Sequence, residues 1–266
     1  MSPWIASWVA GLGAAAALMT MVWLLSLVRR DASVIDIFWG PGFALAAWTY
    51  FLLGDGAPPR KILVVTLVTI WGLRLAAHIL WRGLGKGEDY RYREMRERQG
   101  PRFAWVSLFT IFLLQAVLLW AISAPLLQAQ TAHQPAGLVW LDFLGALLFV
   151  VGFLFEALGD LQLVRFRADP ANRGQVLQSG LWRYTRHPNY FGDALVWWGL
   201  WAIALATPGS FWTIFSPVLM TVLLMKVSGA ALLEKKLVRT RPEYRDYVAR
   251  TNTFFPWFPR STKKKA

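Results

Sequence analysis

Apolar blocks of about 20 residues, the length that a helix needs to cross a bilayer, constrain this chain more than any other feature. Of its 266 residues, 56% are hydrophobic and 16% are charged, whereas an ordinary soluble domain is about a quarter charged. We therefore predict an all-α integral membrane protein, a bundle of seven transmembrane helices in a single membrane domain covering residues 1–266. The predicted spans are approximately 4–28, 33–53, 62–81, 103–122, 138–164, 188–206 and 211–233, followed by a basic tail at 234–266.

The basic residues predict the orientation of these spans. Seven spans would place 25 of the 28 Lys and Arg residues on one side of the membrane, and such residues accumulate on the cytoplasmic side. We expect the N-terminus outside and the C-terminus in the cytoplasm, with the run Lys-Lys-Lys at 263–265 solvated and touching anionic membrane lipids. A net charge of +13 could also attract nucleic acid. Membrane topology explains the charge better, so no nucleic-acid partner is expected.

Two further features limit the chemistry and the connections. The chain has no cysteine, which excludes disulfides and thiolate chemistry, and its three histidines are scattered, so no metal site is expected. The connection at 125–137 carries no Lys or Arg and is predicted to be a loop, as is the charged connection at 82–102.

The stretch 180–193, Gly-Leu-Trp-Arg-Tyr-Thr-Arg-His-Pro-Asn-Tyr-Phe-Gly-Asp, holds the densest group of reactive side chains. Pro188 suits the first turn of a helix, where its missing N–H has no partner to lose. A helix N-terminus beside arginines is a ready site for phosphate. The sequence therefore predicts that a phosphorylated cofactor docks here. The polar residues concerned are Arg183, Arg186, His187, Asn189, Tyr190 and Asp193.

Ionisable residues inside spans are costly and by default mark a functional site. Glu156, Asp160 and Arg167 share one helical face, which predicts either a cofactor contact or an internal stripe that fixes helix packing. Asp36 could donate a hydrogen bond to a substrate oxygen as a neutral acid, or could only cap a helix at the interface. Arg74 is expected to face the bundle interior opposite an acid or a phosphate.

Together these motifs closely resemble the steroid 5α-reductase family, and within it a bacterial branch. The resemblance also rests on Ser-Val-Ile-Asp-Ile-Phe-Trp-Gly at 33–40, Gly-Glu-Asp-Tyr-Arg-Tyr at 87–92 and Leu-Leu-Glu-Lys-Lys at 232–236. It implies a bundle in the bacterial inner membrane, expected to be a monomer, that holds NADPH at the cytoplasmic end. It also implies reduction of the C4–C5 double bond of a 3-oxo-Δ4 steroid, or of a related enone lipid, taken from the bilayer.

The resemblance also assigns residues. Asp36 falls where the family places a glutamate that polarises the 3-oxo group, with Trp39 and Arg74 expected at the substrate. The family's partner tyrosine lies in the third span, where this chain has no tyrosine and Trp71 is nearest, so Tyr90 or Tyr184 is expected to replace it. The residues expected at the cofactor are Glu156, Asp160, Arg167, Arg183, Arg186, His187, Asn189, Tyr190, Asp193, Glu234 and Lys236.

Two other classes stay open. The Arg-His-Pro-Asn-Tyr-Phe-Gly run and a glutamate in the last helix also resemble membrane methyltransferases of the isoprenylcysteine and phospholipid type, which use S-adenosylmethionine. Those enzymes usually show paired glutamates where this chain has Glu234 and Lys235. The intramembrane Asp36 and the long polar segment 165–179 favour the reductase. A non-catalytic lipid-binding protein would leave the carboxylates without a role.

Overall fold

The computed structural model describes residues 2–227, 234 and 243–260. It is 80% helix and the described part contains no strand, which confirms the all-α prediction. The α-helices are α1 (Pro3–Arg29), α2 (Trp39–Leu53), α3 (Pro58–Gly83), α4 (Tyr90–Gln99), α5 (Phe103–Ser107), α6 (Leu114–Ile122), α7 (Ala124–Thr131), α8 (Trp140–Ala168), α9 (Pro188–Leu205), α10 (Phe215–Val222) and α11 (Glu243–Arg250).

Four helical segments are long and apolar enough to cross a membrane: α1, α3, the run Tyr90–Ile122 and α8. The chain is therefore a multi-pass membrane protein. Within the run Tyr90–Ile122, a short 3-10 turn at Gly100–Arg102 and a π-helical turn at Leu108–Leu113 join α4, α5 and α6. Shorter 3-10 turns lie at Ala32–Phe38, Pro170–Asn172, Gly180–Arg183 and Ser210–Ile214, and a second π-helical turn lies at Leu223–Val227.

The residues group into two compact units, the first formed by 1–143 and 203–216 and the second by 144–202 and 217–266. The single membrane domain inferred from the sequence stays a prediction. In the first unit, α2 and α3 meet backbone to backbone. A Cβ at Gly40 would lie 2.2 Å from the carbonyl oxygen of Gly72, so only glycine fits this crossing. Gly40 therefore serves close helix packing.

A buried ion pair closes the first unit at the start of α3. The guanidinium of Arg60 donates to both carboxylate oxygens of Asp142, at 2.8 and 2.9 Å, and neither side chain is exposed. It also donates to the carbonyls of Pro135 and Gly137. The loop before α8 is thus fixed to the N-terminal end of α3.

Two connections contain helices that the sequence analysis treated as loops. The stretch 125–137 begins with α7, whose first turn holds Pro125 and which is largely buried. Its Gln130 amide donates to the carbonyls of Ala47 and Leu126, which ties it to α2. The charged connection 82–102 contains α4, whose N-terminus is capped by Asp89. α7 is too short to show as an apolar block, and α4 consists mostly of charged and polar residues.

In the second unit, α8 and α9 pack through glycine. A Cβ at Gly192 would lie 2.4 Å from the backbone nitrogen of Glu156, and one at Gly152 would lie 2.6 Å from the carbonyl oxygen of Gly192. Small residues let membrane helices approach this closely. The contact brings the Glu156 and Asp160 turns of α8 against the first turns of α9.

Candidate functional site

The second unit joins two of the predicted site residues directly. The side-chain amide of Asn189 donates to Asp160 Oδ1 at 3.1 Å, and Asp160 and Glu156 are both buried. Gly159 makes this approach possible, because a Cβ there would already lie 3.1 Å from the backbone nitrogen of Asn189. The buried Oδ1 of Asn189 accepts no hydrogen bond from the described residues, which leaves it as an acceptor for a ligand.

Arg186 forms a buried clamp just before α9. Its guanidinium donates to both oxygens of Glu234, at 2.8 and 3.1 Å, and to the carbonyls of Val248 and Thr251 and the hydroxyl of Thr253. These five hydrogen bonds engage every N–H of a guanidinium. Arg186 therefore holds the residues that follow α11 instead of offering donors to a phosphate.

The segment 251–260 runs along this clamp, and we call it the C-terminal strap. The backbone N–H of Arg186 donates to the carbonyl of Asn252 at 2.9 Å, and the Thr185 hydroxyl donates to the carbonyl of Phe254 at 2.8 Å. The N–H of Trp257 donates to the carbonyl of Tyr184 at 2.9 Å. The strap thus binds to the residues that lead into α9.

His187 joins the same cluster from the other side of Glu234. Its Nε2 lies 2.9 Å from Glu234 Oε1, and its ring stacks on Tyr190 with centroids 5.3 Å apart. Burial alone would raise the pKa of Glu234, but the hydrogen bonds from His187 and Arg186 and the Arg186 charge outweigh it and lower that pKa. Glu234 is therefore held as a carboxylate between two donors.

A cavity of about 560 Å³ lies beside this cluster at the C-terminal end of α8. Arg167 and Arg173 line it on one side, and Trp182, Tyr244 and Tyr247 supply aromatic surface. Its volume is within the range of small-molecule sites. Guanidinium groups suit phosphate oxygens and flat aromatic walls suit ring systems, so these lining residues could hold a ligand that carries both.

The aromatic wall is held in place by hydrogen bonds. The Tyr247 hydroxyl donates to the carbonyl of Trp182, and the Trp182 indole N–H donates to the carbonyl of Gly159 at 3.0 Å. Burial raises the pKa of Tyr244 and of Tyr247, so both hydroxyls stay protonated at neutral pH. The wall therefore connects α11, the Gly180–Arg183 turn and α8.

The residues predicted to bind the cofactor do not all line the cavity. Arg167, Arg186 and His187 line the cavity, and Asn189 adjoins Asp160. Arg183 is exposed, and the cavity lining does not include it. Asp193 lies half-buried one turn after Asn189 on α9. Lys236 lies outside the described residues.

Asp36, in the first unit, forms a separate polar group. Its Oδ1 accepts a hydrogen bond from the Tyr92 hydroxyl at 2.7 Å, and its Oδ2 accepts one from Arg91 Nη2 at 3.0 Å. Asp36 lies in the 3-10 turn Ala32–Phe38, where Asp31 is the N-cap. Asp31 therefore caps this turn, and the alternative role of Asp36 as the cap was wrong, because its carboxylate binds Arg91 and Tyr92 of α4.

The Gly-Glu-Asp-Tyr-Arg-Tyr run positions that pair. Glu88 accepts a hydrogen bond from the N–H of Ala32 at 2.7 Å and pairs with Arg96, while Asp89 caps α4 and pairs with Arg91. Burial raises the pKa of Glu88 and of Asp89, but these hydrogen bonds and the neighbouring arginines more than offset it, so both pKa values are lowered. These ion pairs and the hydrogen bond from Ala32 therefore hold residues 87–92 in place.

Tyr92 is the site residue that sequence reasoning missed. It is 8% exposed and bonded to Asp36, whereas Tyr90, two positions earlier, is 44% exposed. An N-cap at Asp89 starts a helix in which Tyr90 and Tyr92 point to different sides. Asp89 was the signal that could have separated them.

The remaining predicted residues make contacts of their own. Trp39 packs its ring on Phe43 with centroids 5.6 Å apart, and Arg74 is half-buried on α3. Tyr184 is at the surface of the second unit, where its ring packs edge-on against Phe258.

Comparisons with known proteins place the chain in a family. A family described as "Protein of unknown function (DUF1295)" matches residues 22–251. The chain belongs to this family. It is also similar to uncharacterized protein C594.04c of Schizosaccharomyces pombe, 26% identical over 264 residues that cover 89% of this chain and 76% of the yeast protein. No solved structure matches the chain.

Proposed function

We propose that this protein reduces the C4–C5 double bond of a 3-oxo-Δ4 steroid, or of a related enone lipid, with NADPH. The observation that carries the proposal is the hydrogen-bonded pair of Asp36 and Tyr92. Reducing an enone places negative charge on the carbonyl oxygen, which an adjacent O–H donor stabilises. Methyl transfer to a carboxylate or an amine requires no such donor.

The proposal includes a topology. Helices cover the predicted blocks from 4–28 to 188–206, and an apolar helical segment begins at Ser210. We propose that these form seven spans in the bacterial inner membrane, with the N-terminus outside and the protein a monomer. The excess of Lys and Arg in alternate connections supports a cytoplasmic position for the polar segment 165–187.

NADPH would supply a hydride when bound, and the protein would bind and orient it. We assign Arg167 and Arg173 to its phosphate groups, because both residues line the cavity together with an aromatic wall. Asn189 would accept a hydrogen bond through its buried Oδ1. Arg186 and Glu234 act as positioning residues, because Arg186 spends its donors on Glu234 and on the segment that follows α11.

Tyr92 takes the role first assigned to Tyr90 or Tyr184. Its hydroxyl can turn from Asp36 toward a substrate oxygen, while Arg91 continues to balance the Asp36 carboxylate at 3.0 Å. Asp36 then orients the phenol instead of contacting the carbonyl itself. In this scheme the substrate enters from the bilayer. Solvent donates the proton that the α-carbon takes up.

The test is turnover by purified protein with NADPH and a 3-oxo-Δ4 steroid. We expect loss of nicotinamide absorbance together with a steroid product two hydrogens heavier. Tyr92→Phe should lower kcat by roughly 10²-fold or more, the usual contribution of a positioned acid. Tyr90→Phe is the matched control and should keep turnover within about twofold, because it leaves that acid in place.

Two results would overturn this proposal. One is an absence of turnover across several enone lipids when NADPH does bind. The other is equal turnover by the Tyr92→Phe and Tyr90→Phe variants, which would remove the hydroxyl from the chemistry.

A second candidate is methyl transfer from S-adenosylmethionine. The contact of Glu234 with His187 favours it, because the resembling methyltransferases also combine an Arg-His-Pro run with a last-helix glutamate. The two candidates separate in one measurement. A rise in melting temperature with S-adenosylmethionine but not with NADPH would replace the reductase by the methyltransferase.

A further inference from the structure

We propose that the C-terminal strap docks on the anionic surface of the bilayer, and that this contact holds the wall of the cavity in place. The docking is independent of the reaction, and only its effect on nucleotide affinity rests on the proposed function. The proposal comes from the two sides of the strap, one packed against protein and the other exposed.

The exposed side of the strap is aromatic. Phe255, Trp257 and Phe258 are 68%, 68% and 74% exposed. The preceding Phe254 is 4% exposed and packs against Phe191. A soluble surface does not favour three large aromatic side chains turned outward within four residues, whereas the interface of a bilayer does.

Basic residues border this aromatic side. The N–H of Arg260 donates to the carbonyl of Arg250 at 2.9 Å, which brings two arginines together at one end. Arg183 is exposed and precedes Tyr184, whose ring contacts Phe258. The strap itself, Thr-Asn-Thr-Phe-Phe-Pro-Trp-Phe-Pro-Arg, has no acid, although Asp246 lies nearby on α11. Aromatic side chains bordered by arginines match an anionic lipid surface.

The packed side of the strap supports the cavity. Thr251 and Thr253 accept hydrogen bonds from Arg186, and Asn252 accepts one from its backbone N–H. Arg186 itself lines the cavity. Lifting the strap would break these bonds, so a lipid contact that holds the strap down also preserves the cavity.

The absence of cysteine makes the docking directly measurable. A spin label at Phe258→Cys is compared with one at Glu94→Cys, an exposed position on the polar helix α4, in nanodiscs of phosphatidylcholine with and without phosphatidylglycerol. We expect the label at 258 to be shielded from a polar relaxation agent and accessible to oxygen in the anionic discs. The label at 94 should stay accessible to the polar agent in both discs.

Three label results would overturn the docking. The first is a water-accessible label at 258 in anionic discs, and the second is equal immersion in both disc types, which would remove the role of charge. The third is dipolar broadening between two labels at 258 in one disc, which would assign the surface to a second copy of the chain. Phe255→Cys repeats the measurement in case the label at 258 disturbs the strap.

NADPH affinity, measured by melting temperature in the same discs, tests the coupling. We expect affinity several-fold higher in anionic discs than in phosphatidylcholine, and the difference should shrink in Arg260→Gln. Equal affinities with an immersed label would overturn the coupling. If NADPH raises the melting temperature in neither disc, the proposed function fails, while the label data still decide the docking.

Discussion

The two units each contain a buried arginine that forks onto a carboxylate, and the pairs differ in what surrounds them. Arg60 and Asp142 are fully enclosed, and the remaining donors of Arg60 reach backbone carbonyls. Arg186 and Glu234 lie beside a cavity, with His187 on the same carboxylate.

The two surroundings predict different roles for the two ion pairs. A pair surrounded only by backbone fixes a loop, as Arg60 does. A pair that shares its carboxylate with a histidine and borders a cavity can hold a ligand site together. The comparison yields four predictions.

The largest effect is expected at Arg60. Arg60→Met leaves Asp142 charged and buried, which should lower the free energy of unfolding by about 3–5 kcal/mol. Thermal or denaturant unfolding in detergent measures it. Lys61→Met is the control, since it removes a neighbouring cation that contacts the Gly54 carbonyl and the Phe51 ring, and should cost about 1 kcal/mol or less. Equal losses of stability in the two variants would mean that the buried Arg60–Asp142 pair stabilises the fold no more than the contacts of Lys61 do.

Arg186→Met should destabilise less but remove ligand binding. Glu234 is 18% exposed, so water relieves part of the penalty and we expect a loss of about 2–4 kcal/mol. The melting-temperature shift with NADPH should disappear, whereas folded Arg60→Met should retain it. Arg186→Lys is the matched variant and should not restore the shift, because an ammonium cannot reproduce the fork. A normal melting-temperature shift with NADPH in Arg186→Met would mean that the Arg186 pair, like the Arg60 pair, has no part in ligand binding.

Arg173 and Arg183 are both exposed, but Arg173 lines the cavity and Arg183 does not. Arg173→Ala should weaken NADPH binding about tenfold, or about 1.4 kcal/mol, because a phosphate loses one guanidinium. Arg183→Ala should change it by about twofold or less in detergent, since Arg183 lies outside the lining and acts on a bound phosphate only through screened solvent. Isothermal titration compares the two variants. The reverse order would restore Arg183 to the cofactor site and remove Arg173 from it.

The smallest effect is expected on the stability of the protein at acid pH. The pKa of Glu234 is lowered in the folded protein, so its pairing stabilises the fold above the ordinary glutamate pKa of 4.5 and that stability is lost as pH falls through the folded pKa. Since Glu234 is partly exposed, we expect about 1 kcal/mol or less. Melting temperatures from neutral pH downward should fall less steeply in Glu234→Gln than in wild type. Parallel curves would show that Glu234 does not titrate with unfolding.

Local sequence patterns predicted the helices better than they predicted the contacts between residues far apart in the chain. Apolar blocks placed α1, α3, α8 and α9 within a few residues of their ends, because span length follows from bilayer thickness. The same patterns missed α7, which is short and held by tertiary contacts such as that of Gln130 with Ala47. A helix of that kind leaves no periodic signal long enough to read.

Within the site, sequence identified residue types but not their partners. The Arg-His-Pro-Asn run marked the start of α9, since Pro188 and the polar residues around it are local signals. That Arg186 would bind Glu234, 48 positions away, depends on how the helices pack. Likewise, 56 positions separate Asp36 from Tyr92, and no local sequence pattern around either residue predicts their contact.

The position of the strap along the chain bears on how the cavity forms during synthesis. Every other described element precedes it, and Tyr244 and Tyr247 of the cavity wall lie just before it. Because a chain is synthesised from its N-terminus, α8 and α9 are made before the residues that complete the hydrogen bonds of Arg186. The nascent protein therefore carries an incomplete site, with a charged guanidinium that lacks its last acceptors, until Thr253 has been translated.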